Sequence, residues 1–221
     1  MIPVVFDFDG TICHLFRNYN LKNTSVVLQE TMRRYGITFS SERDAFDVFD
    51  VISAQILEPE TRRTALQMAD SILFAAEEEA LKICEPVNGV KEIFPQLLQN
   101  KNYSVGIATN NSERCVKAFL RTICQADIPV AGRIAQMPEL MKPSPWSVLE
   151  VVKKMCADVK NIIFVGDSSN DYACARSAGC TFWGMASTAQ KKERLLKFIS
   201  SDMIVSDFYE LWNKLNCLSD K

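Results

Sequence analysis

The chain has 221 residues, 48% of them hydrophobic, which is enough for one sizeable core or for a core with a smaller second unit. A formal net charge of −2 carries no basic excess, which argues against a nucleic-acid partner and against a membrane surface. Eight cysteines without a CxxC pair exclude zinc-ribbon and thioredoxin-type readings, and the N-terminal apolar run is too short for a signal peptide or anchor, so reduced core thiols in a cytoplasmic protein are expected.

The chain opens with "VVFDFDGTIC", residues 4–13. Residues 4–6 read as a short buried strand, followed by Asp7 and Asp9, which point the same way because side chains alternate along a strand. Residues 23–84 turn helical. "TSVVLQETMRRYG" (24–36) ends on a glycine after two arginines, a helix stop. "SSERDAFDVFDVISAQIL" (40–57) takes Ser41 as its cap and spaces Phe46, Phe49, Ile52 and Ile56 along one helical face. Residues 59–84 start with a proline in the first turn and run as one long helix. Nothing in this stretch reads as a strand.

After Pro86 strands and helices alternate. Residues 89–100 read as a helix, "YSVGIAT" (103–109) as a strand, 110–123 as a capped helix and "PVAGRIA" (129–135) as a weak strand. A helix over 144–155, the strand "NIIFVGDSS" (161–169), a helix over 170–179 and the strand "CTFWGM" (180–185) follow. This alternation predicts an α/β fold with a doubly wound, Rossmann-like, mainly parallel sheet and an all-helical cap inserted after the first strand. The expected core spans 1–13 and 86–221, and the expected cap spans 14–85.

In such a sheet, ligands bind beyond the carboxyl ends of the strands. Those ends carry Asp7, Asp9 and Gly10, then Thr109, Asn110 and Asn111, then Asp167 with Asp171 four residues on; "MKPSP" brings Lys142. Three or four carboxylates converging with one lysine cannot all ionise without a cation, and hard oxygen ligands suit Mg²⁺. A helix N-terminus, a threonine hydroxyl and a lysine opposite would hold an anion. A divalent cation facing an anion hole beside a carboxylate describes phosphoryl transfer. The spacing does not fit a calcium loop. His14, the only histidine, reads as a linker or hinge residue, with a substrate contact as its alternative. Arg17, Arg62 and Arg63 are cap-side cations that would meet a substrate anion, against the more ordinary role of solvated charges.

"DFDGTI", "IATNN", "KPSP" and "VGDSSNDYACARSAG", in that order and spacing, resemble the four motifs of the haloacid dehalogenase superfamily, in its phosphoglycolate-phosphatase-like branch. The resemblance implies an enzyme acting on a small-molecule phosphate ester. Asp7 would be the nucleophile and Asp9 the general acid and base. Thr109 and the Asn110 backbone would hold phosphoryl oxygens, and Lys142 would offset the charge on Asp7 and the phosphate. Mg²⁺ would be held by Asp7, the Asp9 main-chain carbonyl and Asp167, with Asp171 supporting a bound water. The second aspartate argues for phosphate esters over carbon–halogen bonds. A phosphomutase on the same scaffold and a non-catalytic interaction protein remain as alternatives to the phosphomonoesterase.

Overall fold

A computed structural model describes residues 1–219. The chain begins with β1 (Ile2–Phe6) and β2 (Cys13–His14). Three helices follow: α1 (Leu21–Arg33), α2 (Val48–Gln55) and α3 (Pro59–Leu81). Next come β3 (Glu85–Pro86), α4 (Val90–Gln99), β4 (Tyr103–Ala108), α5 (Glu113–Ile123) and β5 (Val130–Ala131). The last part is α6 (Trp146–Lys154), β6 (Ile163–Gly166), α7 (Ser169–Ala178), β7 (Thr181–Met185), α8 (Ala189–Leu195), β8 (Ile204–Val205) and α9 (Phe208–Ser219).

Six strands form one parallel sheet in the order β5-β4-β1-β6-β7-β8. β1 lies inside it, with Val4 opposite both Val105 and Ile163. This central place explains why β1 is apolar at every position: both of its faces are covered. Val4 and Phe6 pack into the layer that contains Phe94 and Phe208, and the Phe6 ring lies 5.7 Å from the first and 5.6 Å from the second. Val5 faces the opposite layer, with Val148, Val151 and Phe164. From β1 the chain builds outward on one side through β4 and β5, and on the other through β6, β7 and β8. The strand order therefore reverses beside β1, and a crevice opens at the carboxyl ends there.

α1, α2 and α3 enclose a separate apolar cluster that includes Leu28, Met32, Phe49, Ile52, Leu66 and Leu73. Ala80, near the end of α3, belongs instead to the layer under the sheet. The two connections between these helices and the sheet pair as an antiparallel ribbon, with Cys13 opposite Pro86 and His14 opposite Glu85. Residues 23–84 hold no strand, as expected; β2 and β3 lie just outside that stretch, and because two-residue strands show no periodicity, tertiary pairing alone reveals them. The expected cap at Ser41 is also corrected. Asp44 accepts from the Phe46 N–H at 2.9 Å, and a 3₁₀ turn over Ala45–Asp47 leads into α2. Acidic side chains cap helices as well as serine does, and one residue pattern offers several candidates. Cys13, Cys115 and Cys174 are buried as small apolar residues, whereas Cys156 and Cys217 are exposed. Among the described residues no helix is long and apolar enough to cross a membrane.

His14 sits in the ribbon and is only 8% exposed. Burial, then the positive charges of Arg17 and Lys191, lower its imidazole from the usual 6.5 to about 4, with Glu85 opposing. A lowered histidine contributes stability that is present above the unfolded value and is lost as pH falls through the folded one. The window therefore runs from 6.5 down to about 4. Because His14 is the only histidine, proton NMR can read its titration without assignment. A midpoint well below the usual value is expected; a midpoint at the ordinary value would mean that the ribbon leaves the ring in water.

Candidate active site

Asp7 continues β1, its N–H donating to the Val165 carbonyl at 2.8 Å, and its side chain is buried at the floor of the crevice. Its Oδ1 accepts from the Lys142 ammonium. Lys142 Nζ also donates to Asp171 Oδ1 at 2.6 Å and to the Ala108 carbonyl at 3.2 Å. An ammonium has three donors, and here they go to the ends of β1 and β4 and to the first turn of α7. Asn110 fixes the lysine from behind: its Oδ1 accepts from the Lys142 N–H at 2.7 Å, and its Nδ2 donates to the Lys142 carbonyl at 3.1 Å.

Asp171 is almost wholly buried. Its Oδ2 accepts from the Ser168 hydroxyl at 2.6 Å and the Ser168 N–H at 3.0 Å, while Ser168 Oγ accepts from the Asp171 N–H at 3.2 Å. This reciprocal cap starts α7 and fixes the carboxylate that faces Lys142. Asp167, one residue before the cap, accepts through Oδ2 from Lys191 on α8, whose ammonium also reaches the Gly10 carbonyl at 3.4 Å. Gly10 has φ +84°, and a Cβ there would stand 2.1 Å from Asp167 Oδ2, so only glycine allows the approach. Asp9 turns its Oδ1 to the Leu15 N–H at 2.8 Å, toward the start of the ribbon.

Carboxylate oxygens of Asp7, Asp167 and Asp171 all lie within 4.8 Å of one another. Burial first, then the Asp171 charge, pushes the Asp7 carboxyl well above the ordinary range, and Lys142 opposes the rise. Burial and the Asp171 charge raise Asp167 as well. Burial and Asp167 push Asp9 up to about 6. For Lys142, burial disfavours the charge but the Asp171 and Asp7 carboxylates outweigh it, so its ammonium is held. Four acids thus meet two ammonium groups, Lys142 and Lys191, and two negative charges stay unbalanced when all four ionise. Hard oxygen donors with such a deficit fit a divalent cation of the Mg²⁺ type.

Across from the acids, Thr109 is buried, donates to Asn111 Oδ1 at 3.1 Å and accepts from the Asn111 N–H at 3.1 Å. Ser112 then caps α5, accepting from the Cys115 N–H at 3.1 Å. A crevice of about 420 Å³ opens above Asp7, Thr109, Asn110, Lys142 and Asp167, and the helical insert faces it with Asp44, Phe46 and Asp47. All seven site residues read from the sequence, Asp7, Asp9, Thr109, Asn110, Lys142, Asp167 and Asp171, line this crevice. The three arginines do not. Arg17 pairs with Glu85 at 3.5 Å on the ribbon, Arg63 pairs with Glu60 at 2.8 Å in the first turn of α3, and Arg62 lies on the same turn. Sequence position after the first strand put them on the insert but could not say which way they face. Lys191, Arg133 and Glu77 were missed. Lys191 and Glu77 sit at no fixed spacing from a motif; for Arg133, a charge inside the strand-like run "PVAGRIA" was the available signal.

The family model of the haloacid dehalogenase-like hydrolases matches residues 4–185. An uncharacterized hydrolase of Saccharomyces cerevisiae is 26% identical over 178 residues, covering 80% of this chain and 73% of its own. A phosphoglycolate phosphatase of Vibrio parahaemolyticus is 24% identical over 198 residues, covering 82% of each chain. One from Mannheimia succiniciproducens is 26% identical over 125 residues, covering 57% of this chain and 55% of its own. Among solved structures, a hydrolase from Pseudomonas syringae superposes with TM-score 0.63 at 18% identity, over 98% of both chains. A haloacid dehalogenase-like hydrolase from Streptococcus pneumoniae superposes with TM-score 0.64 at 14% identity, over 97% of this chain and 98% of its own. With the motif residues gathered in one crevice of a doubly wound sheet and the family model spanning most of the sequence, the chain belongs to the haloacid dehalogenase-like hydrolases.

Proposed function

We propose that the protein is a Mg²⁺-dependent phosphomonoesterase that acts on a small soluble phosphate ester through an aspartyl-phosphate on Asp7. The observation that carries this reading is the Asp7 carboxylate at the crevice floor, gripped through one oxygen by a buried ammonium. That grip orients the nucleophile and leaves its other oxygen to attack phosphorus. The Thr109 hydroxyl and the main chain at Asn110 then receive phosphoryl oxygens, near the N-terminus of α5. Asp9, poised at about 6, gives its proton to the departing ester oxygen and afterwards takes one from the water that hydrolyses the acyl phosphate. Residues 14–85 serve as the cap that closes over the crevice and excludes water. Asp7, the Asp9 carbonyl and Asp167 would hold Mg²⁺, which supplies charge neutralisation for the phosphoryl oxygens.

The insert side of the crevice also bears on the leaving group. Asp44 and Asp47 flank Phe46 there, and Asp50 and Glu139 line the adjoining cavity. Lys142 already spends its donors on Asp7, Asp171 and Ala108. Arg43 pairs with Asp47 at 3.2 Å, but the rim stays net negative, so an ester with a neutral or cationic leaving group fits better than one with a free carboxylate.

Four outcomes test these readings. Asp7→Asn should stay folded and lose at least ~10³-fold of turnover on p-nitrophenyl phosphate. The same assay run with excess chelator should read zero and recover on adding Mg²⁺; near-normal turnover of the purified variant would overturn the covalent mechanism.

Lys142→Met removes the ammonium from two buried carboxylates, which should cost roughly 3–5 kcal/mol of unfolding free energy near neutral pH. The Asp7 carboxyl, raised to about 8 with the ammonium in place, rises further without it, so the difference sets in as pH passes that value and the deficit should grow from roughly pH 7 to pH 9. Urea unfolding at both pH values decides this; an equal deficit at the two would assign the loss to packing instead of charge.

On a substrate panel, kcat/KM for neutral polyol or aminoalkyl phosphates should exceed that for phosphoglycolate by about tenfold, and Asp47→Asn should narrow the gap. A preference for phosphoglycolate in the unaltered enzyme would show that the acidic rim does not select.

A further inference from the structure

Arg133 follows β5 by two residues, and its side chain has no exposed surface. Its Nη1 donates to Glu77 Oε1 at 2.5 Å and to the Asn110 carbonyl at 3.4 Å, and its Nε donates to Asp70 Oδ1 at 2.6 Å. Glu77, fully buried on α3, accepts in addition from Asn111 Nδ2 at 3.1 Å and from the Ser112 N–H at 3.1 Å. The Arg133 N–H itself donates to the Asn111 carbonyl at 3.1 Å. On the other side the guanidinium carbon lies 5.7 Å from the Phe46 ring and 5.9 Å from the Phe49 ring. One buried cation thus touches α3, the Asn110–Asn111 loop and the turn that brings Phe46 over the crevice.

An apolar pair of the same volume would pack at least as favourably as this ion pair. It would leave Asn111 Nδ2 and the Ser112 N–H without their acceptor, and both belong to the segment that starts α5 behind Thr109. Arg133 and Glu77 do not line the crevice, so neither reaches a substrate directly. We infer that Arg133 and Glu77 are a positioning pair: they set the Asn110–Ser112 loop that receives the phosphoryl group and link its occupancy to the order of the Phe46 segment of the insert. This rests on the phosphatase reading above. Coupling of this kind is reciprocal: if phosphate steadies the insert through Arg133, loosening that contact weakens phosphate.

The test uses Arg133→Lys, which keeps the charge but loses the two-pronged fork, and Glu77→Gln, which keeps the shape. Leu73→Ala, in the apolar cluster of the insert, is the control for lost stability alone. The readouts are KM and kcat on p-nitrophenyl phosphate, the Ki of inorganic phosphate, the melting temperature, and amide exchange over residues 44–55 with and without saturating phosphate. Both variants should raise KM and the phosphate Ki about tenfold while kcat falls by less than about threefold. Phosphate should protect residues 44–55 in the unaltered protein and not in the variants. Leu73→Ala should lower the melting temperature and leave the phosphate Ki unchanged. Variants that melt early like Leu73→Ala but keep the phosphate Ki within about twofold would overturn the inference, as would failure of both to fold, which would make the pair scaffold only. If phosphate does not inhibit the unaltered protein and no ester is cleaved, the phosphatase reading falls and the inference with it. Inhibition of the unaltered protein with unchanged variants removes the inference alone.

Discussion

The arrangement that the rest of this molecule depends on is the buried ammonium of Lys142 among acids. Two like charges 4 Å apart repel by about 4 kcal/mol at the effective dielectric of a protein surface, a large share of the 5–15 kcal/mol that holds a typical domain folded. Asp7, Asp167 and Asp171 stand closer than 4.8 Å to one another through their oxygens. Lys142 and Lys191 offset two of the charges where the strand ends meet. The other features of the site follow from this need. Asn110 clamps the lysine backbone, Ser168 holds Asp171 at the head of α7, and Gly10 is small enough to let Asp167 approach.

The helical insert is fastened to this centre in two unlike ways. At one end a two-residue ribbon carries both connections, and Asp9 reaches into it through the Leu15 N–H. At the other, α3 is tied by the fully buried Glu77 to Arg133 and to the residues that follow Thr109. Between these anchors the insert builds an apolar cluster that Ala135 and Met141 of the core join.

Much of the sheet was legible because its signals are local. Three apolar runs ending in acids or threonine marked β1, β4 and β6, a fourth apolar run marked β7, and the glycine closing residues 170–179 stands at the end of α7. The ribbon was not legible, since two residues hold no period, and neither were β8 and the helices on either side of it, which carry no motif. The arginines of the insert show the same limit from the other direction: Arg17 and Arg63 have carboxylate partners that lie outside the crevice.

By itself the sequence determined the α/β alternation, the helical insert and the seven polar residues of the motifs, because strand periodicity and motif order are properties of short segments. Lys142 was expected beside Asp7, but only the tertiary structure showed that it also holds Asp171, that Lys191 balances Asp167 and that Arg133 pairs with Glu77. Lys191 stands 24 positions from Asp167, Arg133 stands 56 from Glu77, and Lys142 stands 135 from Asp7. Electrostatic compensation acts through space and falls with distance, not with separation along the chain, so partners far apart in sequence become partners only when the sheet brings them together.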